Sequence, residues 1–168
     1  GVAWHTVPDP QATQRETRKQ VALATAFHGG EGVDYGAPAG GADAGSIWFS
    51  TKGDDRIWRI DTKSDRIEIV YDHAAQPSAA LSGVDNVLVT PAGDVFVAED
   101  GGDLQIVALT PGGGVVPIVQ VVGSLGSEIT GPALSPDGTR LYFSSQRFPG
   151  TTYEVEGPFL GGGRGGRT

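Results

Sequence analysis

The chain has 168 residues, and its 12 lysines and arginines against 20 aspartates and glutamates give a formal net charge of −8. An acidic chain repels a phosphate backbone, so we expect no nucleic-acid partner. With no cysteine, the chain has no disulfide, thiolate nucleophile or zinc–thiolate site. No apolar run approaches the ~20 residues that span a bilayer, so we expect no membrane partner either.

The N-terminal residues 1–26 are predicted to form a connector and one short helix. Residues 1–10 contain two prolines and widely spaced apolar side chains, which favour an extended segment packed against another part of the protein. Residues 11–26 are the only plausible helix, with Thr13 as N-cap and Glu16 at the capping-box position.

Residues 27–160 are predicted to be β-structure with an internal repeat. Three similar segments, 46–50, 94–99 and 140–145, each combine aromatic and aliphatic residues. Trp48 and Phe96 are 48 residues apart and Phe96 and Tyr142 are 46 apart, near the roughly 40–50-residue period of four-stranded propeller blades. We therefore predict an all-β fold, a partial β-propeller of about three blades from a ring that normally needs about 4–8. Ring closure would need the rest of the propeller, from a missing half or another chain.

The turns between apolar runs divide each repeat into strands. Glycines between residues 29 and 45 break any helix, and the first unit then has three strands. The second unit has four strands and the third unit three. These strands are predicted at residues 47–50, 56–60, 67–71, 86–89, 95–98, 104–109, 116–122, 131–134, 141–144 and 152–155. Residues 161–168 are glycine- and arginine-rich and are predicted to be a flexible tail.

Acidic residues recur at the predicted strand ends. Glu31, Asp85 with Asn86, Glu99 with Asp100, and Glu128 lie where blade loops would converge on a central channel. Carboxylates that share a channel repel one another unless a cation neutralises them. Hard oxygen donors of this kind favour Ca²⁺ over zinc. Six other aspartates occupy turn contexts and are expected to be structural: Asp54, Asp55, Asp65, Asp94, Asp103 and Asp137.

Other chemistries lack their motifs. The chain has no G-x-S-x-G elbow, no Walker-type glycine loop and no HExxH pair. His28, close to Glu31, stays a candidate phosphate contact or proton donor.

A series of motifs in order along the chain resembles the C-terminal half of the PhoX-type bacterial alkaline phosphatases. The series spans residues 27 to 159, and although each motif alone is weak, seven in this order are specific. The motifs are F-H-G-G-E-G at 27–32, S-T-K-G-D at 50–54, G-V-D-N at 83–86, A-E-D-G-G at 98–102, S-E-I-T-G-P at 127–132, S-P-D-G at 135–138, and S-Q-R at 145–147 followed by G-P-F at 157–159.

The resemblance implies a six-bladed propeller, exported by the twin-arginine route to a secreted, periplasmic or cell-surface location. Its channel would hold Ca²⁺ together with Fe³⁺ and hydrolyse a small-molecule phosphomonoester. The family's cysteine ligand to iron belongs to the first half of the full-length protein.

The motif matches also imply roles for individual residues. The implied metal ligands or their immediate neighbours are Glu31, Asp85, Asn86, Glu99 and Glu128. Glu31 and Glu128 are the implied catalytic residues, and Lys52 and His28 the implied substrate-binding ones. Relatives often carry an arginine two residues before the first glutamate, where this chain has Gly29; Lys52, Arg56 or Arg147 are candidates for the missing charge.

Two other functions remain open from the sequence. The carboxylates would equally suit a non-catalytic calcium-binding propeller that acts as a scaffold. A metal-dependent lactonase or esterase is the third possibility, because one fold supports several chemistries.

Overall fold

The computed structural model describes residues 1–37, 45–76, 80–124 and 126–159. Within these ranges the chain forms eleven β-strands in three antiparallel sheets. The first sheet contains β1 (Gly30–Gly36), β2 (Ser46–Thr51), β3 (Arg56–Asp61) and β4 (Arg66–Asp72). The second contains β5 (Val84–Val89), β6 (Val95–Glu99), β7 (Gln105–Leu109) and β8 (Val115–Gln120). The third contains β9 (Ile129–Leu134), β10 (Arg140–Ser145) and β11 (Thr151–Glu156).

The all-β prediction is confirmed, and each sheet is a meander in which strands adjacent in sequence are hydrogen-bonded neighbours. All ten predicted strands are present, with bounds shifted by a few residues. One strand, β1, was not predicted, because its glycines resemble a loop. The predicted tail at 161–168 lies outside the described residues.

The helix predicted over residues 11–26 is wrong. This segment contains one 3-10 helix, Thr17–Lys19, whose N-cap Glu16 makes no capping hydrogen bond through its side chain. The Asp9 carboxylate accepts hydrogen bonds from the Thr13 backbone N–H at 2.8 Å and from its hydroxyl at 2.6 Å. These local bonds compete with helical ones, and Thr13 therefore closes a turn onto Asp9 instead of starting a helix. No helix in the described ranges has the length and apolarity needed to cross a membrane.

The second sheet lies between the other two, and its central strands β6 and β7 are buried on both faces. Successive side chains of β6 point to opposite faces: Val95 and Val97 join the core shared with the first sheet, and Phe96 and Ala98 join the core shared with the third. Every residue of β6 and β7 is consequently buried.

The two outward faces of this stack differ in polarity. The first sheet presents Phe49 and Trp58, which pack against Phe27 with ring centroids 5.0 and 5.4 Å apart. The outward face of the third sheet is polar: the Arg140 guanidinium pairs with Glu154 at 3.1 Å and with Glu156 at 3.4 Å.

Candidate metal centre

Three carboxylates from different loops and strands meet at one end of the sheets. Asp85 is the second residue of β5, Asp100 follows β6, and Glu128 precedes β9. One carboxylate oxygen from each lies within 4.8 Å of the other two. Asp100 and Glu128 also pair through their backbones in an isolated β-bridge. This backbone pairing therefore fixes the positions of Asp100 and Glu128 relative to each other.

Close contact between β1 and β5 holds the backbone of Asp85 in place. A Cβ atom at Gly32 would lie 2.7 Å from the Asp85 carbonyl oxygen, so only glycine lets the two strands approach this closely. The Ser50 hydroxyl bridges them: it accepts the Gly32 N–H at 2.8 Å and donates to the Asp85 carbonyl. Gly32 thus has a structural purpose at the site.

Two cations border the carboxylates. The Lys52 ammonium donates hydrogen bonds to Asp100 Oδ2 and, at 3.4 Å, to Asp85 Oδ2. The Arg147 guanidinium lies 3.8 Å from Glu128 Oε2. When all three carboxylates are ionised, three negative and two positive groups leave one excess negative charge, which favours binding of a further cation.

The charges perturb each other's protonation. Burial, and after it the neighbouring Asp100 carboxylate, raises the pKa of Glu128. For Asp100, burial acts to raise the pKa, but hydrogen bonding to Lys52 and Glu128 outweighs burial and holds this pKa below its usual value. The hydrogen bond to Asp100 likewise raises the pKa of Lys52. Asp100 and Lys52 are accordingly a charged pair at neutral pH.

Asn86 lies beside the cluster and orients it. Its side-chain amide donates to Asp85 Oδ1 at 2.7 Å, and its carbonyl oxygen accepts the Thr130 hydroxyl at 3.0 Å and the Gly131 N–H at 2.8 Å. Asn86 therefore holds the Asp85 carboxylate and joins β5 to β9.

Glu99, predicted as a ligand, lies outside the cluster. Its side chain is only 1% exposed, and its two oxygens accept the backbone N–H groups of Ser82 at 3.0 Å and Gln105 at 2.9 Å. Burial raises its pKa. Glu99 lies on the same face of β6 as Val95 and Val97, which pack in the core shared with the first sheet. Strand alternation therefore directs the Glu99 side chain toward that core.

Glu31 and His28 are also separate from the three carboxylates. Glu31 is exposed on β1 and is absent from the one carboxylate cluster found among the described residues. The His28 ring packs over Gly53, where a Cβ would lie 2.7 Å from His28 Cγ.

The structure therefore brings Asp85 and Glu128 together with Asp100, which the sequence placed beside Glu99 without assigning it as a ligand. The end of β6 was the available signal, because Glu99 is the last buried residue of the strand and Asp100 is the first residue beyond it. Arg147 lies in the loop after β10, and its side chain is 58% exposed. The structure brings it to Glu128 because its backbone N–H donates to the Ser127 hydroxyl at 3.1 Å.

The donors fit a hard cation. Asp85, Asp100 and Glu128 offer only carboxylate oxygens, which Ca²⁺ prefers and which suit zinc less well. The Lys52 ammonium between two of them acts as a stand-in cation, because it forms its hydrogen bonds with oxygens that a metal ion would use.

Comparison with known proteins identifies the family of this chain. A search of curated proteins found no significant match. Residues 12–150 match the family described as alkaline phosphatase PhoX, and this match covers most of the chain, including every residue of the cluster. We conclude that the chain belongs to the PhoX alkaline phosphatase family.

Proposed function

We propose that this protein takes part in metal-dependent hydrolysis of small phosphomonoesters, with Asp85, Asp100 and Glu128 as its contribution to the metal site. One observation carries the proposal: three carboxylates that are distant in sequence converge beside two cations in a chain of an alkaline phosphatase family. The cation is proposed to be Ca²⁺, with Fe³⁺ held by ligands outside this chain.

The wider architecture is part of the same proposal. The three sheets are taken as blades of a larger propeller, because each is an antiparallel meander and the first strands β1, β5 and β9 contact one another in order. Further blades, from another part of the protein or another chain, would complete the channel. Export from the cytoplasm follows from the resemblance and belongs to the proposal.

The chain's own residues would bind and orient the substrate. Bound metal would supply neutralisation of phosphate charge and activation of an oxygen nucleophile. Lys52 and Arg147 border the carboxylates from two directions, and their cationic groups suit the non-bridging oxygens of a phosphate. Asn86 keeps the Asp85 carboxylate oriented. In this arrangement Arg147 supplies the positive charge that relatives carry at the position of Gly29.

Glu128→Gln tests the proposal because it keeps the side chain's size and removes one anionic donor. We expect loss of bound metal and a fall in p-nitrophenyl phosphate hydrolysis beyond the ~10–100-fold typical of outer-shell partners. Glu156→Gln is the matched control, since Glu156 is exposed on the polar outward face.

The assays also separate the competing functions. Retention of both metal and activity in Glu128→Gln would remove Glu128 from the site. Calcium binding with neither phosphate-ester nor lactone hydrolysis would support a non-catalytic calcium module, and chelator-sensitive lactone hydrolysis alone would support a lactonase.

A further inference from the structure

The Lys52 side chain enters the carboxylate cluster from a fixed point of the backbone. The Lys52 N–H donates to the Gly29 carbonyl at 2.8 Å, and the following Gly53 N–H donates to the His28 carbonyl at 2.9 Å. The side chain beyond this anchor is 34% exposed, so its four-carbon stem has space to leave the cluster toward solvent. Rotation about the side-chain bonds is therefore enough to move the ammonium, while the backbone stays in place.

Lys52 interacts with oxygens that a metal ion would need. Its ammonium bonds to Oδ2 of Asp85 and Oδ2 of Asp100, two of the three carboxylates of the cluster. A divalent cation on those oxygens would lie a few ångströms from the ammonium, where like charges repel. The two cations therefore compete for the same place.

Arg147 does not compete in this way. Among the three carboxylates of the cluster its guanidinium pairs with Glu128 alone, at 3.8 Å, and its side chain is 58% exposed. A metal ion bound to all three carboxylates would leave Arg147 on the rim, whereas Lys52 would have to move.

We propose that Lys52 is an internal counter-cation that exchanges with the metal: its ammonium neutralises Asp85 and Asp100 in the metal-free protein and leaves them when the metal binds. The inference rests on the proposed metal site and concerns how that site is filled. It makes Lys52 a residue that sets metal affinity, in addition to its proposed contact with phosphate.

Calcium titration by calorimetry at constant pH and ionic strength tests the exchange. Lys52→Met removes the competing charge and keeps the apolar stem, and Lys52→Gln gives a second variant should the first fold poorly. We expect either variant to bind Ca²⁺ on the order of tenfold more tightly, because breaking charge-assisted hydrogen bonds no longer opposes binding. Lys63→Met is the control, since Lys63 is an exposed turn residue beyond the opposite end of β3 from Lys52.

Lysine labelling gives an independent readout in the unmodified protein. The chain has three lysines, Lys19, Lys52 and Lys63, so mass spectrometry can follow each after brief reaction with an acylating reagent. We expect saturating Ca²⁺ to increase labelling of Lys52 several-fold and to leave Lys19 and Lys63 unchanged, because release from two carboxylates exposes the amine.

The outcomes distinguish this inference from the proposed metal site. Equal or weaker Ca²⁺ binding by the Lys52 variants, with Ca²⁺ binding still abolished in Asp100→Asn, would overturn the exchange and leave the metal site standing. Unchanged Lys52 labelling at saturating Ca²⁺ would do the same. Absence of Ca²⁺ binding in both wild type and the Lys52 variants would overturn both.

Discussion

Adjacent residues Glu99 and Asp100 should respond in opposite ways to the same chemical change. Glu99 is a buried acceptor for two backbone N–H groups, whereas Asp100 belongs to the carboxylate cluster. We expect Glu99→Gln to destabilise the fold and to spare metal binding. We expect Asp100→Asn to abolish metal binding and to spare the fold.

The magnitudes follow from the hydrogen bonds. Each Glu99 oxygen accepts one N–H, from Ser82 or Gln105, and glutamine keeps only one such oxygen. One buried N–H then faces an amide N–H₂ group, at a cost of about 1–3 kcal/mol in unfolding free energy. Relief of the buried charge offsets part of this, so we expect about 1–2 kcal/mol, or roughly 2–8 °C in melting temperature for a chain of this size.

Asp100→Asn has a smaller effect on stability. It breaks the pair with Lys52, which is about one-third exposed, and a pair of that exposure contributes about 1 kcal/mol or less. It also removes a negative charge beside Glu128. The melting temperature should therefore stay within a few degrees of wild type.

Thermal denaturation by circular dichroism and calcium titration by calorimetry, run on both variants, measure the two effects. A stable Glu99→Gln that no longer binds Ca²⁺ would show that Glu99 is a ligand and would refute the assignment to the core. An Asp100→Asn variant that is unstable but binds Ca²⁺ normally would show that Asp100 supports the fold and is not a ligand.

Further variants test how the sheets support the site. Gly32→Ala should lower both melting temperature and Ca²⁺ affinity, because its Cβ would lie 2.7 Å from the β5 backbone, whereas Gly30→Ala, with nothing within 4 Å, should change neither. Asp55→Asn should cost about 1–3 kcal/mol in chemical denaturation, because the carboxylate accepts two backbone N–H groups at the start of β5 and the amide accepts only one well. Burial raises the pKa of Tyr71 from 10.0 to about 12; the unfolded chain loses this proton first, so stability should fall as pH rises from 10 to 12. Tyr71→Phe should flatten that alkaline slope at a cost of about 1 kcal/mol at neutral pH, because the Leu81 carbonyl loses a donor.

The fold was predictable wherever side-chain pattern and turn chemistry agreed. The second sheet has continuous apolar runs in β6 and β7 because both of its faces are buried, and turns at Pro91–Gly93 and Gly101–Gly102 separate its strands. The first strand was missed because its glycines serve a long-range contact with β5, which local pattern does not contain. The prediction of an N-terminal helix was wrong because the Asp9 carboxylate accepts a hydrogen bond from the Thr13 N–H.

The site was predictable as a set of acidic motifs but not residue by residue. Asp85 and Glu128 occupy turn-flanking positions that strand order brings together. The choice between Glu99 and Asp100 depends on where β6 ends, because every residue of the strand through Glu99 is buried and Asp100 lies just beyond it, and strand ends are the least certain part of a sequence-based prediction. The position of Arg147 beside Glu128 depends on a hydrogen bond to Ser127, 20 residues away in sequence, and no local sequence pattern predicts that contact.

The unlike outward faces of the stack have a consequence for self-association. A head-to-tail filament would press the aromatic face of the first sheet of one molecule against the ion-paired face of the third sheet of the next. That contact would strip water from Arg140, Glu154 and Glu156 and set them against the packed aromatic rings of Phe27, Phe49 and Trp58, so desolvation opposes it. Open-ended polymerisation, which a head-to-tail contact that does not close into a ring would generate, is thereby disfavoured.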